Sequence, residues 1–260
     1  MAIAAPAEIT GTPSVRRIGT AALRTALVRG LDDFRDKPSH LLFIGIIYPI
    51  AGLILSRLVF GYEILPLLFP LAAGFALLGP FAAIGLYELS RRREQGQEVG
   101  WRHAFGVLQS PAIRQILILG AILAVTFVAW LLVAWGLYAA TLGTGAPQSI
   151  GGFLDRLFTT GAGWTLIVVG NAVGALFAVF ALTISVVSFP LLLDRHVGVA
   201  TAIATSAKAV AANPGPMAAW GLIVAAGLVI GSIPLFVGLA VVMPILGHAT
   251  WHLYRQVVGD

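Results

Sequence analysis

Cysteine is absent from the 260 residues, and charged residues make up only 10% of them. Without cysteine there are no disulfides, zinc–thiolate sites, thiolate-held iron–sulfur clusters or thiol nucleophiles. A soluble domain carries about 25% charged residues, so this chain has too little polar surface to cover a water-soluble globule. No phosphate loop, dinucleotide fingerprint or hydrolase elbow occurs, and the glycine-rich stretches read as helix-packing or loop glycines. Met1–Ser14 has no apolar run behind a basic start, so residues 1–14 read as a disordered cytoplasmic tail rather than a signal peptide.

What remains is apolar: 58% hydrophobic residues and a mean hydropathy of +0.94. A helix crossing a hydrocarbon core of ~30 Å needs about 20 apolar residues at ~1.5 Å each. Leu41–Phe60 meets this, with Arg57 able to snorkel at its far end, and Ile64–Leu89 follows. Further crossings are expected at Gln115–Ala140 and Trp164–Leu193, separated by a Gly-, Thr- and Ser-rich stretch holding a short amphipathic piece, Phe153–Phe158. The last apolar tract, from Met217, is too long for one crossing, and Gly231-Ser232-Ile233-Pro234 marks a tight turn within it. Two short helices are expected there, Ala218–Ile230 and Leu235–Tyr254, with five crossings as the alternative to six.

An internal repeat favours six. Three amphipathic approaches lead to Pro38, Pro111 and Pro214, and each is followed by an apolar hairpin. The first and third hairpins leave through gap-free matching stretches, Pro80–Arg91 and Pro244–Arg255, and the second through the weaker Pro190–Arg195. The fold class expected is therefore all-α: a polytopic transmembrane bundle of about six helices in three hairpin repeats, with interfacial amphipathic helices. Residues 15–258 form a single integral membrane domain, with repeats at about 20–95, 101–196 and 198–258. Of the 16 Lys and Arg, only Arg57 and Arg156 fall on the far side of a six-crossing chain. Lys and Arg concentrate in cytoplasmic loops, so both termini are expected in the cytoplasm, with the chain in the cell inner membrane. The net charge of +5 then reads as contact with anionic headgroups, since no soluble segment is left to hold nucleic acid.

Candidate chemistry is sparse. Charge deep in a bilayer marks function by default, yet Arg57, Glu63, Glu88, Asp194 and His248 all fall within about two turns of an interface. The clearly polar group at mid-depth is Asn171, which more often makes a helix–helix hydrogen bond than binds a substrate. His248 and His252 are four apart, on one helix face, the spacing two metal ligands need. With Glu88 from the first repeat and Asp194 from the second they form a candidate cluster at the cytoplasmic side. The simpler reading makes both histidines interfacial hydrogen-bonding residues, because no third ligand is placed. Pro49, Pro80, Pro190 and Pro244 should kink their helices. The pairs Gly170/Gly174 and Gly227/Gly231 have the spacing that allows close helix approach.

Gly79–Glu94, Phe189–Arg195 and Pro244–Arg255 resemble the bacterial predicted integral membrane proteins grouped as domain of unknown function 2189. The likeness covers about Asp33–Val258 and implies a multi-pass inner-membrane protein without implying an activity. Some members carry a label linking them to cytochrome c oxidase subunit one. Here His40, His103, His196, His248 and His252 all fall near the cytoplasmic interface, unlike haem or copper ligands inside helices.

The function expected is a non-catalytic scaffold, accessory or assembly partner, not an enzyme and without a cofactor, near a respiratory complex at most. Its partners would be membrane lipids and another membrane protein or itself. The alternatives are a transporter or channel for a small uncharged or amphipathic solute, and a metal- or haem-binding protein using His248 and His252.

Overall fold

A computed structural model of the chain describes residues 13–36, 63–195, 197–234 and 236–259. The expected first crossing Leu41–Phe60, with Pro49 and Arg57, lies outside the described residues, as do His40 and His196. Every regular element among the described residues is helical. In order they are α1 Thr20–Asp36, α2 Leu68–Ala82, α3 Ile84–Glu94, α4 Ile113–Leu142, α5 Ile150–Thr159 and α6 Gly161–Ser185. They continue with α7 Ser188–Asp194, α8 Val199–Ala212, α9 Pro214–Ser232 and α10 Leu239–Val257. A 3-10 turn, Leu65–Leu67, leads into α2, and a longer 3-10 run, Trp101–Gln109, precedes α4.

Among the described residues, four stretches are long and apolar enough to cross a membrane: Leu65–Glu94, Ile113–Leu142, Gly161–Asp194 and Pro214–Ser232. The last apolar tract divides at the turn read from its sequence, with Ile233–Gly238 joining α9 to α10. Phe236 there takes a φ of 66°, a left-handed conformation that L-residues rarely adopt. Gly231 and Gly238 let the two backbones meet: a Cβ on Gly238 would sit 2.8 Å from the Gly231 carbonyl oxygen. Gly227 faces Val242 and Leu246, so the Gly227/Gly231 pair closes this hairpin.

Prolines break two of the long stretches. Pro80 cannot donate to the carbonyl one turn earlier, and α2 gives way to α3 at Ala83. Pro190 leaves the Val186 carbonyl without its helical donor, and the helix interrupts at Val186-Val187, where the Val187 amide donates to Ser206 Oγ at 3.3 Å. At Pro244 the helix continues unbroken through α10.

Burial is concentrated at one end. Leu86, Tyr87, Phe189, Leu191, Leu192, Trp220, Trp251 and Tyr254 are all within 2% of complete burial, and they cluster where the hairpins leave and α9 begins. The flanks of the long helices are the reverse: Val125, Leu176 and Leu222 are about 70% exposed, an apolar surface suited to lipid tails. Among the described residues, packing is thus tightest at the arginine-rich end.

Three approach segments tie that end together. The Trp101–Gln109 run packs on α3, α8 packs on α6 and α7, and α1 packs along α10, the last helix of the chain. Gly30 makes the last contact possible, because a Cβ there would lie 2.6 Å from the Ala249 backbone nitrogen. Ahead of α1, Val15 forms an antiparallel bridge with Val258, and the Gly259 amide donates to the Ser14 carbonyl at 2.9 Å. Pro13 is buried, so the last residues of the 1–14 segment pack with the helices rather than forming a free tail. Asn213 secures the strand-like entry: its Oδ1 accepts from the Ile18 amide at 2.7 Å, and its Nδ2 donates to the Arg16 carbonyl at 3.1 Å.

Candidate functional site

The residues with most chemical capacity meet where α1, α3 and α10 touch. α10 presents His248, Trp251, His252 and Arg255 on one face by their spacing of three and four. α3 delivers Ser90, Arg91 and Arg93 from the turn that ends the first hairpin. α1 is amphipathic, and its buried residues Leu23, Ala26, Gly30 and Asp33 recur every three to four positions. That rhythm carries Asp33 into the same interface.

Asp33 is the hub. Its carboxylate is 6% exposed. Oδ2 accepts from the Ser90 hydroxyl at 2.5 Å and from His252 Nε2 at 2.8 Å, while Oδ1 pairs with Arg93 Nη1. His248 Nδ1 lies 2.8 Å from Ser90 Oγ and 3.9 Å from Asp33 Oδ2. With the Ser90 proton committed to the carboxylate, His248 carries its own proton on Nδ1 and donates to the hydroxyl oxygen. His248 Nε2 and His252 Nδ1 are buried without a hydrogen-bond partner among the described residues. Burial pushes the Asp33 carboxyl up, but hydrogen bonds from His252, Ser90 and Arg93, with the charge of His252, outweigh it and hold the group at about 2.

Neighbouring carboxylates are matched in the same way. Glu94 accepts from the Trp251 indole at 3.0 Å and from Arg255 Nε at 3.1 Å. Asp194 accepts from the Tyr254 hydroxyl at 2.6 Å and from Arg255 Nη1 at 3.4 Å. Glu88 turns back on its own helix, taking Arg91 Nε at 2.7 Å and Nη2 at 3.0 Å, with Arg92 at 3.9 Å. Of the four residues grouped from the sequence, His248 and His252 therefore meet at Asp33. Asp194 joins the same helix through Tyr254 and Arg255, and Glu88 bonds to Arg91 and Arg92. Asp33 and Ser90 were not singled out by sequence, although Asp32-Asp33 stands out as an acidic pair inside a basic approach segment.

The remaining candidates lie elsewhere. His103 Nδ1 accepts from the Gly100 amide at 2.9 Å. Asn171 Nδ2 donates to the Ile167 carbonyl of its own helix at 2.8 Å, and the residue is exposed. A Cβ added at Gly174 would lie 3.0 Å from the Trp130 ring. A cavity of about 500 Å³ is lined by residues between Tyr138 and Arg156, Asn171 not among them. No three of His, Asp or Glu among the described residues are arranged to hold a metal ion.

Residues 68–194 match the family described as "Predicted integral membrane protein (DUF2189)". No curated protein and no solved structure matches the chain.

Proposed function

We propose, for a chain carrying the predicted integral membrane protein domain of unknown function 2189 over residues 68–194, a non-catalytic role as a scaffold, accessory or assembly partner within the inner membrane. The observation that carries this reading is the pairing of the four carboxylates at this site with donors, from buried Asp33 and Glu88 to half-buried Asp194 and exposed Glu94. Asp33 receives three donors, and Glu88, Glu94 and Asp194 each face an arginine. A buried pair built this way is high in desolvation cost and serves to fix one arrangement of helices. A general acid or base needs instead a reachable proton and a substrate beside it.

The topology belongs to the same reading: six crossings in three hairpin units, both termini cytoplasmic. Three facts support it. The described residues supply four long apolar stretches and a shorter apolar half in α10. Each approach segment packs on the helix that closes a hairpin, and the first packs on the last, as a circular threefold plan requires. The bridge from Val15 to Val258 puts the first and last stretches of the described residues side by side. The arginine-rich end then meets anionic headgroups at the cytoplasmic face.

Extraction in a mild detergent, followed by identification of co-purifying proteins and lipids, tests the role. A stoichiometric membrane partner or a stable self-assembly is the expected result. Movement of a defined solute across liposomes, abolished by one intramembrane substitution, would overturn it in favour of a transporter.

A further inference from the structure

Resting on the topology proposed above, we infer that the Trp101–Gln109 run lies in the plane of the cytoplasmic leaflet, with one of its ridges seated among anionic phospholipids. The run is a 3-10 helix, and with three residues per turn its side chains three apart stack in ridges. Each ridge meets a different medium. Ala104 and Val107 are buried on the bundle side. His103, Gly106 and Gln109 form a ridge with no apolar side chain. Arg102, Phe105 and Leu108 form the third, and Phe105 and Leu108 are 49% and 66% exposed. The exposed Trp101 ring leans onto this last ridge, 5.5 Å from the Arg102 guanidinium and edge-on to Phe105 at 6.3 Å. A segment between a bundle and water needs two faces. A third face that is apolar with a cation at its end suits a segment that also touches lipid.

Depth and charge identify the occupant. A Cβ on Gly85 would lie 3.1 Å from Ala104, and one on Gly120 would lie 2.6 Å from the Phe81 ring. The run therefore rests on α3 beside the first turns of α4. At 30 residues, or about 45 Å, α4 is longer than a hydrocarbon core of ~30 Å, so its first turn, with Arg114, lies at headgroup level. Tryptophan concentrates at that level. The exposed apolar series continues along α4 with Leu117, Ile118 and Val125, the flank that meets lipid tails. Arg102 and Arg114 are exposed and face no carboxylate among the described residues. Unpaired cations beside an apolar ridge match a molecule with an anionic headgroup above acyl chains.

The chain has no cysteine, so a single thiol carries a fluorophore without background. Labels on Phe105→Cys and Leu108→Cys, in liposomes of phosphatidylcholine and phosphatidylglycerol, should be quenched by nitroxide-labelled lipid and shielded from aqueous iodide. A label on Gln109→Cys should show the reverse. Nitroxide-labelled phosphatidylglycerol should quench the Leu108→Cys label more than nitroxide-labelled phosphatidylcholine at equal content. Arg102→Gln should cut that preference by up to about fivefold, the weight of one basic residue near an anionic surface. Iodide reaching the labels at 105 and 108 as freely as the one at 109 would overturn the inference, as would equal quenching by the two lipids. Labels that neither quencher reaches would also overturn it, because protein would then cover the ridge. All three results leave the topology standing. A Gln109→Cys thiol that reacts with an impermeant reagent from the outer side of the membrane would instead overturn the topology and this surface together.

Discussion

His252 Nε2 and Asp33 Oδ2 lie 2.8 Å apart and join residues separated by 219 positions. This contact makes the first described helix and the last one a single unit. Replacing Asp33 by Asn keeps the shape but gives up the charge that Arg93 and His252 address. Breaking one side of a buried ionic group costs about 3 kcal/mol or more. The Asp33→Asn protein should therefore unfold at lower temperature in detergent, measured by tryptophan fluorescence, and α1 should become protease-sensitive before the apolar helices do.

The same carboxylate sets a pH dependence. Its folded pKa is about 2 against an ordinary 3.8. A depressed carboxyl contributes stability that is fully present above the unfolded value and is lost as pH falls through the folded one. The melting difference between wild type and Asp33→Asn should hold constant from pH 7 to about 5, then close between about pH 4 and pH 2. A difference unchanged at pH 2.5 would contradict the assignment.

Gly30 tests the helix contact without touching charge. A Cβ added there meets the backbone and Cβ of Ala249 at 2.6–2.8 Å, and backbone yields little. Gly30→Ala should destabilise by about 2 kcal/mol, within the range for overpacking. Gly79→Ala, which meets nothing within 4 Å, should leave the melting temperature unlowered.

Asn213 holds the chain entry with bonds to the Ile18 amide and the Arg16 carbonyl. Asn213→Ala removes both and exposes partners that were satisfied, at about 1–3 kcal/mol. Hydrogen exchange at the Ile18 amide should accelerate strongly, while exchange at Leu123 in the middle of α4 should not change.

Hydropathy made the long helices legible, because the need for about 20 apolar residues leaves few alternatives. The Gly231–Pro234 turn was equally readable, since glycine and proline constrain the backbone locally. The expected amphipathic piece at Phe153–Phe158 is α5, extended to Ile150–Thr159 by the Ser149 cap on the Gly152 amide. The site was readable only in half. The spacing of His248 and His252 placed two rings on one face, but their carboxylate partner depends on which helix packs there. Glu88 was the nearest acid by repeat logic, yet Arg91 three residues on captures it. Asp33 was hidden because α1 read as a surface helix, and its burial follows from a tertiary contact that Gly30 permits. Asn171 was expected to bond another helix and bonds its own.

Membrane sidedness is the most direct test of the account. A reporter active only in the cytoplasm and one active only outside it, fused in turn to each end of the chain, should both place head and tail in the cytoplasm, as the Val15–Val258 pairing requires of ends that fold together. Ends reporting from opposite sides would contradict that pairing, the six-crossing plan and the Asp33–His252 contact at once.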